Sequence, residues 1–249
     1  MRVEWASASA GGWLDLLLPR ACVVCDRLLD AGDRRLACGR CWAKVRHLPP
    51  PLCERCGHPC TRDACLWCAQ LPPFIRSARS VCWIPGGTGS AIVHAFKYGG
   101  WHAMAGEMAA QMAHLDWPAD VLAERAALVP VPLARDRERE RGYNQSAALA
   151  RALAPRWNVP VWDDVVERTH ATATQTRLTP EERRRNVSGA FSVHSGAGSR
   201  IRGTHVVLVD DIITTGATLT ACAAALFAGG ARITSLVTFG RAPAIGDRA

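Results

Sequence analysis

VVLVDDIITTGATL, residues 206–219, is the stretch that decides the fold class of this chain. The apolar run His205–Val209 predicts a buried strand, and a helix is predicted over Ala217–Ala228, ended by a pair of glycines. On both sides of this stretch, apolar runs of strand length alternate with segments of helix length. The pattern predicts an α/β fold with a mainly parallel sheet flanked by helices. Such sheets bind ligands at the carboxyl ends of their strands, where loops lead into helices.

The same alternation predicts the remaining strands of the sheet and the helices that pack on it. Predicted strands lie near Ser80–Ile84, Ala126–Val131, Val159–Val166, Ala190–Val193 and Ile233–Phe239. Predicted helices cover Ser90–Tyr98, His102–His114 and Asn144–Ala154. The chain has 249 residues, 49% of them hydrophobic, which suffices for one such domain with a real core and a smaller module beside it.

The turn after the predicted central strand has the composition of a phosphate-binding loop. The first backbone N–H groups of a helix have no partner within the helix and carry a partial positive charge, so they favour an anion. Gly216 lets the backbone approach a phosphate closely, and Thr214, Thr215 and Thr218 add hydroxyl donors. The loop lacks the lysine of a Walker A motif and the glycine spacing of a dinucleotide-binding fold.

Two carboxylates, Asp210 and Asp211, stand between the strand and this loop. Next to one bound phosphate, the two carboxylates would repel a second phosphate. They are suited instead to accept hydrogen bonds from the vicinal hydroxyls of a ribose whose 5′-phosphate lies in the loop. The plainer alternative is that Asp211 or Thr214 caps the helix and Asp210 ends the strand in solvent. The ordered succession of strand, acid pair and threonine-rich turn favours the ribose phosphate.

A second anion subsite is predicted in VPVPLARDRERERGYNQS, residues 129–146. Arg141 can grip a phosphate with its planar fork, and Asn144 suits a helix N-cap. Most of the other arginines in this stretch fit a solvated helix of alternating charge. Lys97, one of two lysines in the chain, is either a further ligand of a pyrophosphate or a chance retention. The candidates for the pyrophosphate side are Lys97, Pro132, Arg141, Gly142, Asn144 and Gln145.

A candidate lid lies in residues 168–191, which are polar and turn-rich and then become basic. Long loops of this composition are commonly lids or binding loops. Gln175, Arg184 and Asn186 are the side chains predicted to close over a bound ligand.

Cysteine usage marks a separate N-terminal module. Nine of the eleven cysteines lie between Cys22 and Cys68. Eight of them form four C-x-x-C pairs, each suited to one half of a tetrahedral site, so two structural Zn²⁺ ions are predicted. The four pairs could combine in sequential order or in a cross-braced arrangement, and the sequence leaves both open. His58 and Cys60 are possible substitute ligands. The alternative to zinc binding is a redox-active C-x-x-C motif or buried free thiols. The predicted ligands are Cys22, Cys25, Cys38, Cys41, Cys53, Cys56, Cys65 and Cys68.

The proline-rich stretch LPPF, residues 71–74, predicts the domain boundary, because its prolines cannot continue a helix or pair within a sheet. We predict an N-terminal helix with a double zinc-ribbon-like module in residues 1–73 and the α/β domain in residues 74–249. The first residues do not follow the pattern of an export signal, and no stretch approaches the roughly 18 apolar residues of a membrane span. We therefore expect a cytoplasmic protein, since a reducing compartment favours metal binding over disulfides.

At VDDIITTGAT the sequence closely resembles the phosphoribosyl-pyrophosphate-binding motif of type I phosphoribosyltransferases. The resemblance widens to the ComF-type competence proteins (the ComF/GntX family) over about residues 20–241. It is carried, in order, by the cysteine pairs, FKYGG, PVPL, RGYNQ, ATQTRL, the RRRN–GAF stretch and VDDIITTGAT. The main departure is Tyr143, where the family pattern usually has phenylalanine.

The resemblance implies roles for the residues of the motif. Asp210 and Asp211 would be catalytic residues that contact the ribose hydroxyls. The loop around the 5′-phosphate would consist of Thr214, Thr215, Gly216, Ala217 and Thr218. It also implies a Mg²⁺ ion held largely by oxygens of the bound phosphoribosyl pyrophosphate.

The resemblance further implies a role in natural transformation, in the uptake and handling of incoming single-stranded DNA, with DNA and DNA-uptake proteins as partners. Transferase activity stays open, because the family implies no acceptor. The alternatives are a metabolic phosphoribosyltransferase with an unknown acceptor and no role in DNA uptake, and a zinc-dependent interaction subunit with a relic pocket. The formal net charge of +8 suits phosphate-bearing partners, although a solvated surface explains it equally well.

Overall fold

The computed structural model describes residues 20–30, 32–60, 65, 67–68, 71–169 and 189–243. Its strands are β1 Ile75–Trp83, β2 Arg125–Pro130, β3 Val166–Arg168, β4 Phe191–Val193, β5 His205–Ile213 and β6 Ile233–Arg241. The main sheet has four parallel strands in the order β1-β6-β5-β2. β3 and β4 form a separate antiparallel pair. Because all four strands of the main sheet run the same way, their carboxyl ends meet at one edge.

The helices of the described residues alternate with these strands as predicted. They are α1 Gly39–Ala43, α2 Gly87–Tyr98, α3 Met104–Ala113, α4 Ala119–Glu124, α5 Arg135–Arg141, α6 Gln145–Trp157, α7 Gly198–Ile201 and α8 Ala217–Ala228. The start of α6 follows the predicted cap: the Asn144 side chain accepts hydrogen bonds from the backbone N–H groups of Ser146 (2.9 Å) and Ala147 (3.2 Å). The predicted α/β class and mainly parallel sheet are confirmed.

Both faces of the main sheet are buried, because side chains alternate between them along each strand. Val207 and Val209 of β5 pack in a cluster with apolar residues of α2, α3 and α6. Val206 and Leu208 pack in a second cluster with apolar residues of α8, β3 and β4. The sheet is therefore the middle layer of three. Within the sheet, β5 is an interior strand that pairs with β6 on one side and β2 on the other.

The cysteine-rich module packs on the first of these clusters and does not stand apart from the sheet. Cys22, Cys38 and Cys41 are buried within it. On α3, the Glu107 carboxylate accepts hydrogen bonds from the backbone N–H of Leu36 and from Nε1 of Trp42 (2.8 Å). A half-buried carboxylate with charge-assisted hydrogen bonds thus joins the module to the α/β part of the chain.

The same module also covers the outer edge of β1. The backbone N–H of Leu48 donates to Val81 O (3.2 Å), and that of Trp83 donates to Arg46 O (2.9 Å). Further along the strand, the N–H of Ala78 donates to Arg55 O (2.7 Å). Hydrogen-bonding groups that an edge strand would otherwise present to solvent are therefore paired.

The segment predicted as a strand near Val159–Val166 differs from the prediction. It touches β2 at a single parallel bridge between Val161 and Leu128, and a true strand begins only at Val166. Asp163 and Asp164 intervene and form ion pairs with arginines of α6 and α7. Charged side chains at two successive positions turn the chain away from the sheet, so the pairing ends after one bridge.

Among the helices of the described ranges, none combines the length and the apolar character needed to cross a membrane.

Candidate functional site

The two aspartates lie on β5 itself, close to the carboxyl edge of the sheet. The strand is longer than the apolar run predicted for it, because Asp210, Ile212 and Ile213 continue to pair with β6. Alternation along the strand sends the two carboxylates to opposite faces. Asp211 is buried on the α2 side, and Asp210 is part-buried on the α8 side.

Each carboxylate has a polar partner from a different helix. The Lys97 ammonium on α2 lies 2.9 Å from Asp211 Oδ2, and both side chains are largely buried. Ser146 on α6 donates a hydrogen bond to Asp210 Oδ1 (2.8 Å), which also accepts from the backbone N–H of Asp211 (2.9 Å). The remaining oxygens, Asp210 Oδ2 and Asp211 Oδ1, have no hydrogen bond or ion pair with a described residue. One oxygen of each carboxylate is thus left for a hydroxyl or a hydrated cation.

The threonine-rich turn, Thr214–Thr218, forms an open concave loop between β5 and α8, which we call the cup. Thr214 and Thr215 are exposed, and Gly216 and Thr218 are partly so. Gly216 has φ 74°, the left-handed region that favours glycine, and it precedes the first residue of α8. The backbone N–H of Ala217 has only a long contact to Thr215 Oγ1 (3.4 Å). The first N–H groups of a twelve-residue helix therefore face a solvent-accessible turn, which is an arrangement suited to a phosphate.

Arg141 ends α5 beside this edge, and its guanidinium is held by two neighbours. Nη1 donates to Gln145 Oε1 (2.8 Å), and Nη2 donates to the Tyr98 hydroxyl (3.3 Å). Nε is buried without a hydrogen-bond partner among the described residues. Of the residues predicted for the pyrophosphate side, Arg141 thus brings a positive charge to this edge of the sheet.

The other predicted residues of that side have local structural roles. Gly142 has φ 78° and caps the end of α5. Gln145 is buried and donates to Tyr143 O (3.2 Å), so it positions Arg141. Asn144 joins the start of α6 to the end of β2 by donating to Val131 O (3.1 Å). Pro132 lines a cavity of ≈330 Å³ beside β2, together with residues of α5, α6 and β3.

Three of the predicted site residues cannot be placed. Gln175, Arg184 and Asn186 lie outside the described residues. The antiparallel pair β3–β4 flanks that stretch, and Arg168 at the end of β3 is near enough to Asp210 for their charges to interact. Arg168 and Ser146 are contributors that the sequence did not single out. A polar residue in the first turn after the Asn144 cap was the available signal for Ser146.

Burial and the adjacent Asp211 carboxylate raise the pKa of Asp210 to about 7, against the opposing hydrogen bond from Ser146 and the nearby Lys97 charge. A carboxyl group with a raised pKa keeps its proton in the folded protein at pH values where the unfolded chain has lost it. The folded state is therefore favoured by this group at acidic pH, and that advantage is lost as the pH rises through about 7.

We expect Asp210→Asn to stabilise the ligand-free protein at pH 8 by about 2 kcal/mol, a value that allows for the partial exposure of the side chain. The gain should disappear as the pH is lowered below about 4, because the wild-type carboxyl is then protonated in both states. Urea denaturation of both proteins across this range measures it. Asp211→Asn is the contrast, because it leaves the buried Lys97 ammonium without its carboxylate and should destabilise. An Asp210→Asn protein no more stable than wild type at pH 8 would contradict the assignment.

The cysteine pairs come together as two separate groups of four sulfurs. In each group the ligand atoms all lie within 4.8 Å of one another. The pairing is sequential: the first group is Cys22, Cys25, Cys38 and Cys41, and the second is Cys53, Cys56, Cys65 and Cys68. This resolves the choice between sequential and cross-braced pairing.

The sulfur geometry fits tetrahedral zinc. A Zn–S bond of about 2.3 Å implies a separation of about 3.8 Å between sulfurs. The Cys22–Cys41 and Cys25–Cys38 separations are both 3.8 Å. In the second group two separations are shorter, at 3.2 and 3.4 Å. Four cysteines complete each group and leave no open position, so the zinc is structural.

His58 and Cys60 do not belong to either group of ligands. The His58 ring packs instead between two indoles, 5.4 Å from Trp67 and 5.9 Å from Trp83. The substitute ligands considered from the sequence are therefore not used in this arrangement.

Comparisons with known proteins agree with this two-part architecture. The family model described as a double zinc ribbon domain matches residues 13–71. The model described as a phosphoribosyl transferase domain matches residues 142–245. The solved structure of glutamine phosphoribosylpyrophosphate amidotransferase from Bacillus subtilis is similar with a TM-score of 0.37 and 17% identity, over 55% of this chain and 26% of that chain. The fold assignment rests on the parallel sheet and on the family model.

Two relatives match over most of their length. The DNA utilization protein YhgH of Escherichia coli K12 is 32% identical over 227 residues, which is 87% of this chain and 94% of the relative. The competence protein ComFC of Bacillus subtilis 168 is 26% identical over 234 residues, which is 86% of this chain and 90% of the relative. With a type I phosphoribosyltransferase-like domain, two Cys₄ zinc sites and these relatives, the chain belongs to the ComF/GntX family.

Proposed function

We propose that this protein binds phosphoribosyl pyrophosphate with Mg²⁺ at the carboxyl edge of its sheet and acts in the cytoplasm in natural transformation, in the handling of incoming single-stranded DNA. The open cup at Thr214–Thr218, directly after the twin aspartates, is the observation that carries the ligand. The names of the relatives, a DNA utilization protein and a competence protein, support the role in DNA handling.

The proposed ligand distributes its groups over three parts of the site. Its 5′-phosphate would lie against the first N–H groups of α8 and the hydroxyls of the turn. Its ribose hydroxyls would donate to the free oxygens of Asp210 and Asp211. Its pyrophosphate would lie towards the positive charge of Arg141, which forms no ion pair with a carboxylate of the described residues. Magnesium prefers oxygen ligands and keeps several waters, so oxygens of the ligand and one or two carboxylate oxygens would suffice.

The Lys97–Asp211 pair has a clear role in this proposal. Without the ammonium, two adjacent carboxylates would repel each other and the pyrophosphate of the ligand. Lys97 neutralises Asp211 from the buried side and leaves its other oxygen available. We therefore propose that Lys97 tunes the charge of the site through Asp211, which replaces the direct pyrophosphate contact expected from the sequence.

The test is calorimetric titration of phosphoribosyl pyrophosphate with Mg²⁺ into wild type, Gly216→Ala and Gly203→Ala. Gly216 and Gly203 have nearly equal φ values of 74° and 72°, so alanine costs the backbone about the same at both positions. Only Gly216 lies in the cup. We expect affinity to fall at least about tenfold in Gly216→Ala alone, because the added methyl and the strained turn displace the N–H groups that hold the phosphate. A wild type that does not bind, or equal affinities in the two variants, would refute the proposal.

A second measurement separates transfer from binding. In a transfer, an acceptor forms a bond to C1 of the ribose while the bond from C1 to the pyrophosphate oxygen breaks and pyrophosphate leaves. Pyrophosphate release with candidate acceptors, lost in Asp210→Ala/Asp211→Ala, would assign a catalytic role to the aspartates. Salt-sensitive binding of single-stranded DNA that survives this double substitution would assign the DNA to a different surface.

A further inference from the structure

Four exposed rings lie close together in the chain, at the end of α2 and in the turn that leads into α3. Tyr98 is 56% exposed and Trp101 is 44% exposed, although large aromatic side chains are normally covered. His94 and His102 are exposed on either side of them. We call these four residues, His94, Tyr98, Trp101 and His102, the aromatic rim. In the chain, Lys97, which contacts Asp211, directly precedes Tyr98 of the rim.

The backbone of the rim holds Trp101 in place. A Cβ atom on Gly99 would lie 2.6 Å from Trp101 Cδ1 and 2.8 Å from Ala95 O, so the indole can lie over this position only when it is glycine. Gly100 has φ 70° and turns the chain back, and the N–H of His102 then donates to Gly100 O (2.9 Å). The indole is therefore ordered by its own turn while much of its surface stays open.

A guanidinium lies against one of the rings. The Arg141 guanidinium lies 5.2 Å from the centre of the Tyr98 ring, and its Nη2 donates to the Tyr98 hydroxyl. The His94 ring lies 5.1 Å from the Tyr98 ring in a tilted arrangement. Within the described part of the chain, no carboxylate forms an ion pair with a residue of the rim or with Arg141. The rim thus combines open aromatic faces with positive charge.

We propose that the aromatic rim binds single-stranded DNA by stacking unpaired bases on Tyr98 and Trp101, with the positive charge of Arg141 beside the Tyr98 ring attracting the strand. Aromatic faces combined with cations are the features that bind single strands without reading their sequence. A duplex does not offer its base faces for stacking, and an apolar protein partner would not favour a surface containing two histidines and an arginine. The inference rests on the DNA-handling part of the proposed function, and it identifies the surface that would contact the DNA.

The experiment measures binding of a fluorescein-labelled oligothymidylate by anisotropy, using the full chain. We expect Tyr98→Ala and Trp101→Ala each to weaken binding about tenfold, the size of one lost base–ring stack. Tyr98→Phe and Trp101→Phe keep an aromatic face and should stay within about threefold of wild type. Phe227→Ala is the matched control, because Phe227 is 49% exposed on α8 and stacks on Phe74, away from the rim. It should bind as wild type does.

Binding of phosphoribosyl pyrophosphate to the same samples separates the two proposals. A Trp101→Ala protein that loses DNA but keeps the small ligand would support the rim, since Trp101 has no assigned role in the pocket. Tyr98 accepts a hydrogen bond from Arg141, so the Tyr98 variants are judged on DNA binding alone. Unchanged DNA affinity in Tyr98→Ala and Trp101→Ala would overturn it, whatever the small ligand does. So would equal affinity for a duplex of the same length, because stacking requires unpaired bases. Absence of phosphoribosyl pyrophosphate binding would refute the pocket proposal and leave the rim standing.

Discussion

Cys41→Ser is expected to reduce the zinc content from two ions per chain to one and to lower the melting temperature by more than about 10 °C. Cys41 lies on α1, is 4% exposed, and belongs to the cluster that also contains the core residues of α2 and α3. Loss of one thiolate opens the first zinc site. It thereby frees a segment that packs against the sheet, so the damage should spread beyond the module.

The measurements are zinc content by mass spectrometry and thermal unfolding at matched protein concentration. Cys60→Ser is the matched control, because Cys60 lies in the same module but outside both ligand groups. It should keep both ions and lose no more than about 1 kcal/mol. A Cys41→Ser protein that retains two ions and a wild-type melting temperature would show that the site is not held as described.

Gly57→Ala should destabilise the protein by about 3 kcal/mol or more. Gly57 follows Cys56 in the second zinc site and has φ 64°, where a side chain is strained. A Cβ atom there would also lie 2.3 Å from Ala78 O of β1, and neither backbone can yield without breaking the contact between the zinc module and the sheet. Equilibrium denaturation gives the loss in the free energy of unfolding.

Gly32→Ala separates the clash from the strain of the turn. Gly32 lies in the same module with φ 88°, but nothing lies within 4 Å of its added Cβ atom. This variant should lose only about 1 kcal/mol, the cost of the backbone conformation. Equal losses in the two variants would mean that the Gly57 backbone does not approach β1 as closely as the structure has it.

Local patterns predicted the central part of this fold well. The helix α8 has the predicted bounds, because an uninterrupted apolar and alanine-rich stretch ends at a glycine pair. The Asn144 cap followed from a side chain that can accept from the first turn of a helix. Sequential zinc pairing was one of two options, and the short loops within each group fit it. These features depend on residues close together in the chain.

Contacts between distant segments were not predictable in the same way. Nothing near Lys97 or Asp211 in the sequence reveals that they pair, because the order of the strands and the placement of α2 bring them together. The same applies to Ser146 and Asp210. The segment at Val159–Val166 has strand-like composition, yet its two aspartates find arginine partners in the tertiary structure and leave the sheet. The domain boundary at residues 73 and 74 stays a prediction.

The covering of β1 by the zinc module has a consequence for the protein when it loses its metal. Arg46, Leu48 and Arg55 are the residues whose backbone groups satisfy this strand from outside. If the zinc module detaches from β1, the unpaired edge of this nine-residue strand becomes a template on which a second molecule can add its own strand. Metal depletion would then lead to self-association through intermolecular strand addition, so chelators would cause aggregation in addition to unfolding.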